Sequence, residues 1–195
     1  MKTLGTQILE TERLRLRPFR EEDAEPMFRN WANDPAVTRY LTWPTHQSVE
    51  NTRAVVALWT AESRDPGTYQ WAIELKSLGE PIGSLSAMHP DTELGSVELG
   101  YCIGSAWWGQ GLTAEAVRAA IAFLVRREGF RRVAARHDSR NPNSGRVMQK
   151  AGMKREGVLR ASGRSNSGLG DMVWYAILAE ELDRAGYEGE DAYGV

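Results

Sequence analysis

The chain has 195 residues, 42% of them hydrophobic and 26% charged. That balance excludes a disordered or collagen-like chain and fits one domain of ordinary size. No apolar run approaches the roughly 18 residues that a membrane-spanning helix needs. Met1–Gly5 has no apolar stretch after Lys2, which does not fit a secretory signal. The single Cys102 excludes an internal disulfide framework, and His46, His89 and His137 are too few and too scattered for a structural zinc site. The expectation is a soluble, cytoplasmic protein without a metal.

The formal net charge of −2 hides an uneven distribution. The first hundred residues carry ten bases and fifteen acids; segment 118–160 carries twelve bases and three acids; from 161 onward there are two bases and seven acids. An isoelectric point near 6.0 does not suit a dedicated nucleic-acid binder, which is normally basic as a domain. A basic middle between acidic flanks suits a small anionic cofactor better, and the acidic parts could attract a cationic acceptor.

In chain order, Leu14 and Leu16 alternate with Arg13, Arg15 and Arg17, so residues 9–19 predict a half-buried first strand ended by Pro18. Glu21-Glu22-Asp23 opens a helix with Met27, Phe28 and Trp31 at core spacing, broken at Asn33-Asp34-Pro35. Residues 36–47 read as irregular. A second helix runs from an Ser48 N-cap to about Glu62, with Val55, Leu58 and Trp59 on its buried face. Tyr69–Lys76, Pro81–Met88 and Ser96–Ile103 predict an antiparallel three-strand meander. Val117, Ile121, Leu124 and Val125 then recur at helical intervals in an amphipathic helix over 114–128, with Gly129 as its stop. A short strand at 133–136, a helix over 144–151 closed by Gly152, two strands at 155–160 and 172–178, and a short helix at 179–185 complete a single α/β domain over 8–185. Residues 186–195 form a polar tail, and 161–171 reads as a flexible loop.

The most specific stretch is Trp107-Trp108-Gly109-Gln110-Gly111-Leu112-Thr113-Ala114-Glu115-Ala116, between the third meander strand and the strong helix. Two close glycines bare the backbone, and the helix N-terminus behind them offers unpaired N–H groups to a phosphate. A tight connection needing glycine dihedrals would explain the same residues. A Rossmann turn formally matches Gly109-x-Gly111-x-x-Ala114. However, its first glycine should follow the strand directly, and here Ser105–Trp108 intervene after a meander strand. A P-loop fails because no Lys-Ser or Lys-Thr follows Gly111.

This loop resembles the acyl-CoA pyrophosphate loop of the GNAT acetyltransferase superfamily, and the resemblance spans roughly 8–185. Leu9–Pro18, Val97-Glu98-Leu99-Gly100-Tyr101, Gly109-Gln110-Gly111 followed by Glu115-Ala116, Asn141-Pro142-Asn143-Ser144, Lys150-Ala151-Gly152-Met153 and Glu156-Gly157 are similar to the RimJ/RimL-type branch, which includes ribosomal-protein alanine acetyltransferases. Trp108 stands where Gln or Arg is usual, and Thr113 where Gly or Ala is usual.

The resemblance implies a mixed, largely antiparallel sheet of six to seven strands, split to admit acetyl-CoA. Trp108, Gly109, Gln110, Gly111, Leu112, Thr113 and Ala114 would hold the pyrophosphate. A basic residue of 118–160, with Lys150 among the candidates, would take the 3′-phosphate. The pantetheine arm would run along Leu99, Tyr101 and Ile103, where a backbone N–H would serve as oxyanion donor, and Asn141 would bond the arm or simply make a turn. The N-x-x-A/S-x-x-x-Y pattern reads Asn141-x-x-Ser144-x-x-x-Met148 here. Met148 cannot donate a proton, so Ser144 is the expected thiolate donor or sulfur ligand, with a plain helix N-cap as its rival reading. Glu98 is the candidate base, acting through a water, with Glu74 and Asp171 as rivals. The acceptor would be a protein N-terminal amine or a small amine such as an aminoglycoside, polyamine or amino acid. Loops 34–48 and 161–171 would decide between them, and Trp31, Tyr40 and Trp43 would line a pocket or pack the core. Homodimers are common among relatives. A CoA-binding sensor without turnover stays open, supported by Met148; neither nucleic acid nor membrane is an expected partner.

Overall fold

The computed structural model describes residues 3–182 and Arg184; the tail 186–195 lies outside the described residues. Eight strands form one sheet: Leu9–Glu10 (β1), Leu14–Arg17 (β2), Tyr69–Leu75 (β3), Glu80–Asp91 (β4), Ser96–Ile103 (β5), Arg132–Asp138 (β6), Lys154–Ser165 (β7) and Gly168–Leu178 (β8). Their order across the sheet is β1-β2-β3-β4-β5-β6-β8-β7. The helices are Ala24–Met27 (α1), Pro35–Thr38 (α2), Val49–Glu62 (α3), Leu112–Arg126 (α4) and Pro142–Lys150 (α5).

The strand count exceeds the expected six to seven because the N-terminal segment folds back on itself. Leu9 faces Leu16 across an antiparallel pair. The Thr11 hydroxyl accepts the Leu14 N–H at 2.9 Å, so residues 11–13 turn instead of extending. Leu9, Leu14 and Leu16 are fully buried, as their alternation requires.

Alternation along β3 divides the interior in two. Trp71 and Ile73 face the larger core, built on α4 through Val117, Ile121, Phe123 and Leu124; Phe123 meets Trp71 edge-on at 6.0 Å. Ala72 points the other way, into a smaller core with Met27, Trp31, Val37, Val56 and Cys102 under α1, α2 and α3. Trp31 is therefore a core residue rather than a pocket wall. In α3 the Ser48 hydroxyl does accept the Asn51 N–H, but Leu58 is 55% exposed. The buried stripe runs through Thr52 and Val56, and Val55 and Trp59 pack against the same core as expected; the 3.6-residue period turns only Leu58 of the three outward.

Two expectations at the C-terminal end change. Segment 161–171 is not a flexible loop: β7 and β8 pair antiparallel, with Ser165 opposite Gly168 at the hairpin tip. Its serines and glycines carry no apolar alternation, so the ladder left no trace in the sequence. Of the helix expected at 179–185, Ala179–Glu181 is a 3-10 turn, while residues 183 and 185 lie outside the described residues.

The joint that positions the site is β5–β6, a parallel pair. The register runs from Ser96 opposite Arg132 to Leu99 opposite Ala135. Beyond it β5 continues to Ile103 against β4, and β6 continues to Asp138 against β8. The two strands part, and the sheet opens as expected.

Arg17 breaks the alternation of β2 by being buried. Its Nε meets Glu74 at 2.6 Å, and its Nη1 and Nη2 meet Asp23 at 2.7 and 2.8 Å. This cluster joins β2, β3 and the turn into α1, and it assigns Glu74 a structural role. Replacing Arg17 by Met strands two buried carboxylates and is expected to cost roughly 3–5 kcal/mol. The denaturant midpoint measures it, and a loss below about 1 kcal/mol would show the pair to be no stronger than a surface one.

Candidate active site

A cavity of about 620 Å³ opens where β5 and β6 separate. The loop between β5 and α4 forms one wall, α5 another, and residues 36–41 a third. Of the expected site residues, Tyr101, Ile103, Trp108, Gly109, Gly111, Thr113, Ala114, Asn141, Ser144 and Lys150 all line it. Leu99 and Leu112 are 2% exposed and belong to the core. Any contact they make with a ligand would be through backbone. Gln110 lies outside the lining, its side-chain amide donating to the Ala106 carbonyl at 3.2 Å.

The glycine loop has the conformation its sequence requires. Gly109 and Gly111 have φ of 78° and 81°, the left-handed region that costs other residues roughly 1–2 kcal/mol. Nothing lies within 4 Å of where a Gly109 Cβ would stand, so the backbone is open on that side. The Glu115 N–H is the first of α4 to find an acceptor within the helix, the Gly111 carbonyl at 3.1 Å. The N–H groups before it remain available, as at any helix start. Trp108 is half-exposed, and its indole N–H donates to the Ile103 carbonyl at 3.0 Å. That bond ties the loop to the end of β5.

A brace holds this loop from behind. The Glu115 carboxylate accepts from the Thr11 hydroxyl at 2.6 Å, the Arg13 N–H at 2.9 Å and the Arg13 Nε at 2.7 Å. Arg13 Nη1 in turn donates to the Gln110 carbonyl at 3.0 Å. Burial pushes the Glu115 carboxyl upward, but these donors outweigh it and hold it below the usual carboxylate range. The sequence carried both partners, but only the fold shows that they meet.

At the other side of the cleft, Ser144 lies inside α5 while Asn141 is the N-cap position, and no side-chain cap bond forms there. The rival reading of Ser144 as a cap does not hold. Its Oγ lies 3.1 Å from the Tyr101 hydroxyl, which also donates to the Ser144 carbonyl at 3.0 Å. Burial raises the Tyr101 phenol well above its ordinary range, so it keeps its proton at neutral pH. Met148 is buried in the core, as a residue without proton chemistry can be.

The three carboxylates named as candidate bases are all engaged. Glu98 lies outside the cavity lining, its Oε1 2.9 Å from Arg136 Nε. Alternation puts it on the same strand face as Cys102 and opposite Tyr101. Glu74 belongs to the Arg17 cluster. Asp171 accepts the Ala161 N–H at 2.8 Å within the β7–β8 hairpin.

The cavity also includes residues that sequence reasoning missed: Arg39, Arg140 and Arg146 line it, with Tyr40 as anticipated. Arg140 grips Asp138 through Nε at 2.8 Å and Nη2 at 2.6 Å, while the Arg39 guanidinium sits 5.2 Å from the Tyr40 ring centre. Arg39 and Arg140 are isolated bases in irregular stretches, with no periodic signal. Among the described residues the lining carries four cations and no carboxylate, so none of the described acids supplies the expected acidic surface to this cavity. Cys102 also lines it, but burial raises its thiol and Ser84 Oγ lies 3.3 Å from its sulfur, which makes it a poor nucleophile.

The brace makes a pH prediction. A carboxyl depressed by folding stabilises above its unfolded pKa of about 4.3 and loses that contribution as pH falls through the lower folded value. Glu115→Gln should therefore be less stable than the parent at pH 7 by about 1–2 kcal/mol, discounted because Arg13 is partly exposed. The gap should close near pH 3, as read from thermal unfolding across pH. A gap unchanged by pH would contradict the charged brace.

Comparison with known proteins agrees with this geometry. Residues 13–154 match the acetyltransferase (GNAT) domain family. The chain is similar to an uncharacterized N-acetyltransferase, p20, of Bacillus licheniformis, at 29% identity over 90% of this chain and 98% of that protein. It is 39% identical over 62 residues, 32% of each chain, to the ribosomal protein uS5-alanine N-acetyltransferase of Escherichia coli. Among solved structures, a GNAT-family acetyltransferase from Bacillus anthracis superposes with a TM-score of 0.78 at 25% identity, covering 90% of this chain and all of that one. With the parted strands, the open glycine loop and a matching family domain over most of its length, the chain belongs to the GNAT acetyltransferases.

Proposed function

We propose that the cavity binds acetyl-CoA and that the protein moves the acetyl group to the primary amine of a second substrate. The observation that carries this reading is the pairing, within one cavity, of an open amide cradle at Gly109–Ala114 with the Tyr101–Ser144 hydroxyl pair. The cradle suits a pyrophosphate: it combines left-handed glycines, free N–H groups and the positive end of α4. Arg146 and Lys150 of α5 both line the cavity and could take a further phosphate. The unpaired edge of β5 from Gly100 to Ile103 offers backbone groups to the pantetheine arm, and Asn141 offers a side-chain amide. Acetyl-CoA would supply an activated acyl thioester.

The residues then divide the work. Ser144 Oγ holds a proton where a thiolate would leave, and Tyr101 can replenish it through the 3.1 Å contact. Main-chain N–H groups of β5 would face the carbonyl oxygen as charge grows there. Glu98 is the carboxylate proposed to take the amine proton, through a water along the strand face it shares with Cys102.

A protein N-terminal amine is the favoured acceptor, supported by the RimJ/RimL-type motifs and by the partial match to the uS5-alanine enzyme. The second reading is a small amine, supported by the bonds from the β7–β8 hairpin tip to residues 38–43, which back one wall of the cavity. Ser144→Ala should lower kcat roughly 100-fold, in the range of a lost proton donor, while the Kd for CoA stays within about twofold. Tyr101→Phe should fall between this variant and the parent. Product from an alanine-terminated peptide, spermidine, kanamycin or free amino acids is followed by mass spectrometry. Tight CoA binding with no product from any of them would favour the sensor reading.

A further inference from the structure

The cavity wall at residues 38–43 belongs to no long element. α2 ends at Thr38, and α3 begins only at Val49. A connection of that kind is normally mobile. Here it is fastened by the tip of the β7–β8 hairpin, more than 120 residues away in sequence. The Asn166 side-chain amide donates one proton to the Thr38 carbonyl at 2.8 Å and the other to the Trp43 carbonyl at 2.7 Å. The Asn166 N–H donates to the Leu41 carbonyl at 3.1 Å, and the Ser167 hydroxyl to the Arg39 carbonyl at 3.1 Å. Two turn residues thus satisfy four carbonyls of the wall.

The side of the cavity involved can be read from Arg140. Its Nη1 donates to the Ser167 carbonyl at 3.0 Å, and it immediately precedes Asn141 and α5. Through Arg140 the hairpin tip and the wall are thus joined to the turn that leads into α5, the helix that carries Ser144. Asn also fits this place chemically. Its amide has two donors in one plane and can serve two carbonyls at once. An Asp would present acceptors to acceptors, and an Ala would leave the carbonyls to water.

We propose that Asn166 is a positioning residue for acceptor recognition: it fixes Arg39, Tyr40 and Leu41 as a preformed wall against which the amine substrate docks. This assignment rests on the acetyl-transfer reading above and adds a determinant of acceptor selection remote from the reacting atoms. It touches neither the cofactor cradle nor the Tyr101–Ser144 pair.

Asn166→Asp, nearly isosteric, is the main test, with Ser167→Ala as a milder variant that removes a single wall bond. With whichever amine of the panel the parent acetylates, Asn166→Asp should raise the acceptor KM roughly tenfold, while the Kd for CoA by calorimetry stays within about twofold. Asn166→Gln, which keeps both donors on a longer arm, should recover part of the loss. Ser167→Ala should shift KM about two- to threefold in the same direction. Hydrogen exchange of the full-length protein bound to CoA should show residues 38–43 losing protection in Asn166→Asp, with α4 and β5 unchanged. An acceptor KM that stays put while the wall loosens would overturn the assignment, as would a parallel loss of CoA affinity. Absence of product from every amine with the parent protein overturns the acetyl-transfer reading, and this assignment with it.

Discussion

Everything in this molecule follows from two neighbouring strands that stop bonding to each other. Past Leu99 and Ala135, β5 and β6 are each held on their outer side but not between themselves. Unpaired backbone inside a protein costs as much as a lost hydrogen bond per group. An extended, amide-bearing ligand is the natural partner for such an edge, much as a peptide adds to an exposed strand. The cavity is thus a missing stretch of sheet, which in the proposed function the arm of a CoA thioester would complete.

The surrounding parts keep that gap open and useful. α4 is dense with buried alanine, valine and leucine against the sheet, so its N-terminus is a fixed point. Arg13 and Glu115 lock the preceding loop to β2, and the Trp108 indole locks it to β5. The loop holds its left-handed glycines in one path because several independent contacts determine it. Below the sheet, Arg17 bridges Asp23 and Glu74, and so sets where α1 begins relative to β3. The glycine loop itself carries no charged side chain; the field comes from oriented amides.

Much of this was legible in the residues, and the reasons for the exceptions are physical. Period-2 and period-3.6 patterns placed β3, β4, β5 and α4, because those elements bury one face and leave the other polar or tightly packed. The glycine loop was legible because Gly109 and Gly111 serve a backbone requirement. The β1–β2 fold-back was not, since one threonine hydroxyl decides it. The β7–β8 hairpin was hidden because its outer part, Gly163–Ser165 against Gly168–Gly170, carries no apolar alternation. Around the cavity, the glycines stood out by spacing and Ser144 by resemblance to the family's N-x-x-A/S pattern. Arg39, Arg140 and the Tyr101–Ser144 contact did not, because each depends on segments that meet only after folding. Glu74 illustrates the converse: a carboxylate that looks free in sequence is consumed by Arg17.

Where many relatives of this fold carry a tyrosine, Met148 is sealed in the interior on one turn of α5. In the proposed mechanism the hydroxyl chemistry falls to a pair whose members sit on different elements, Tyr101 on a strand and Ser144 on a helix. A donor built into one helix keeps its geometry however that helix shifts, but a pair spanning the cleft does not. Its hydrogen bond registers the width of the opening itself, so under the proposed mechanism reactivity is coupled to how far strand and helix stand apart. On that proposal, an occupant that wedges them wider would silence the chemistry without touching either hydroxyl.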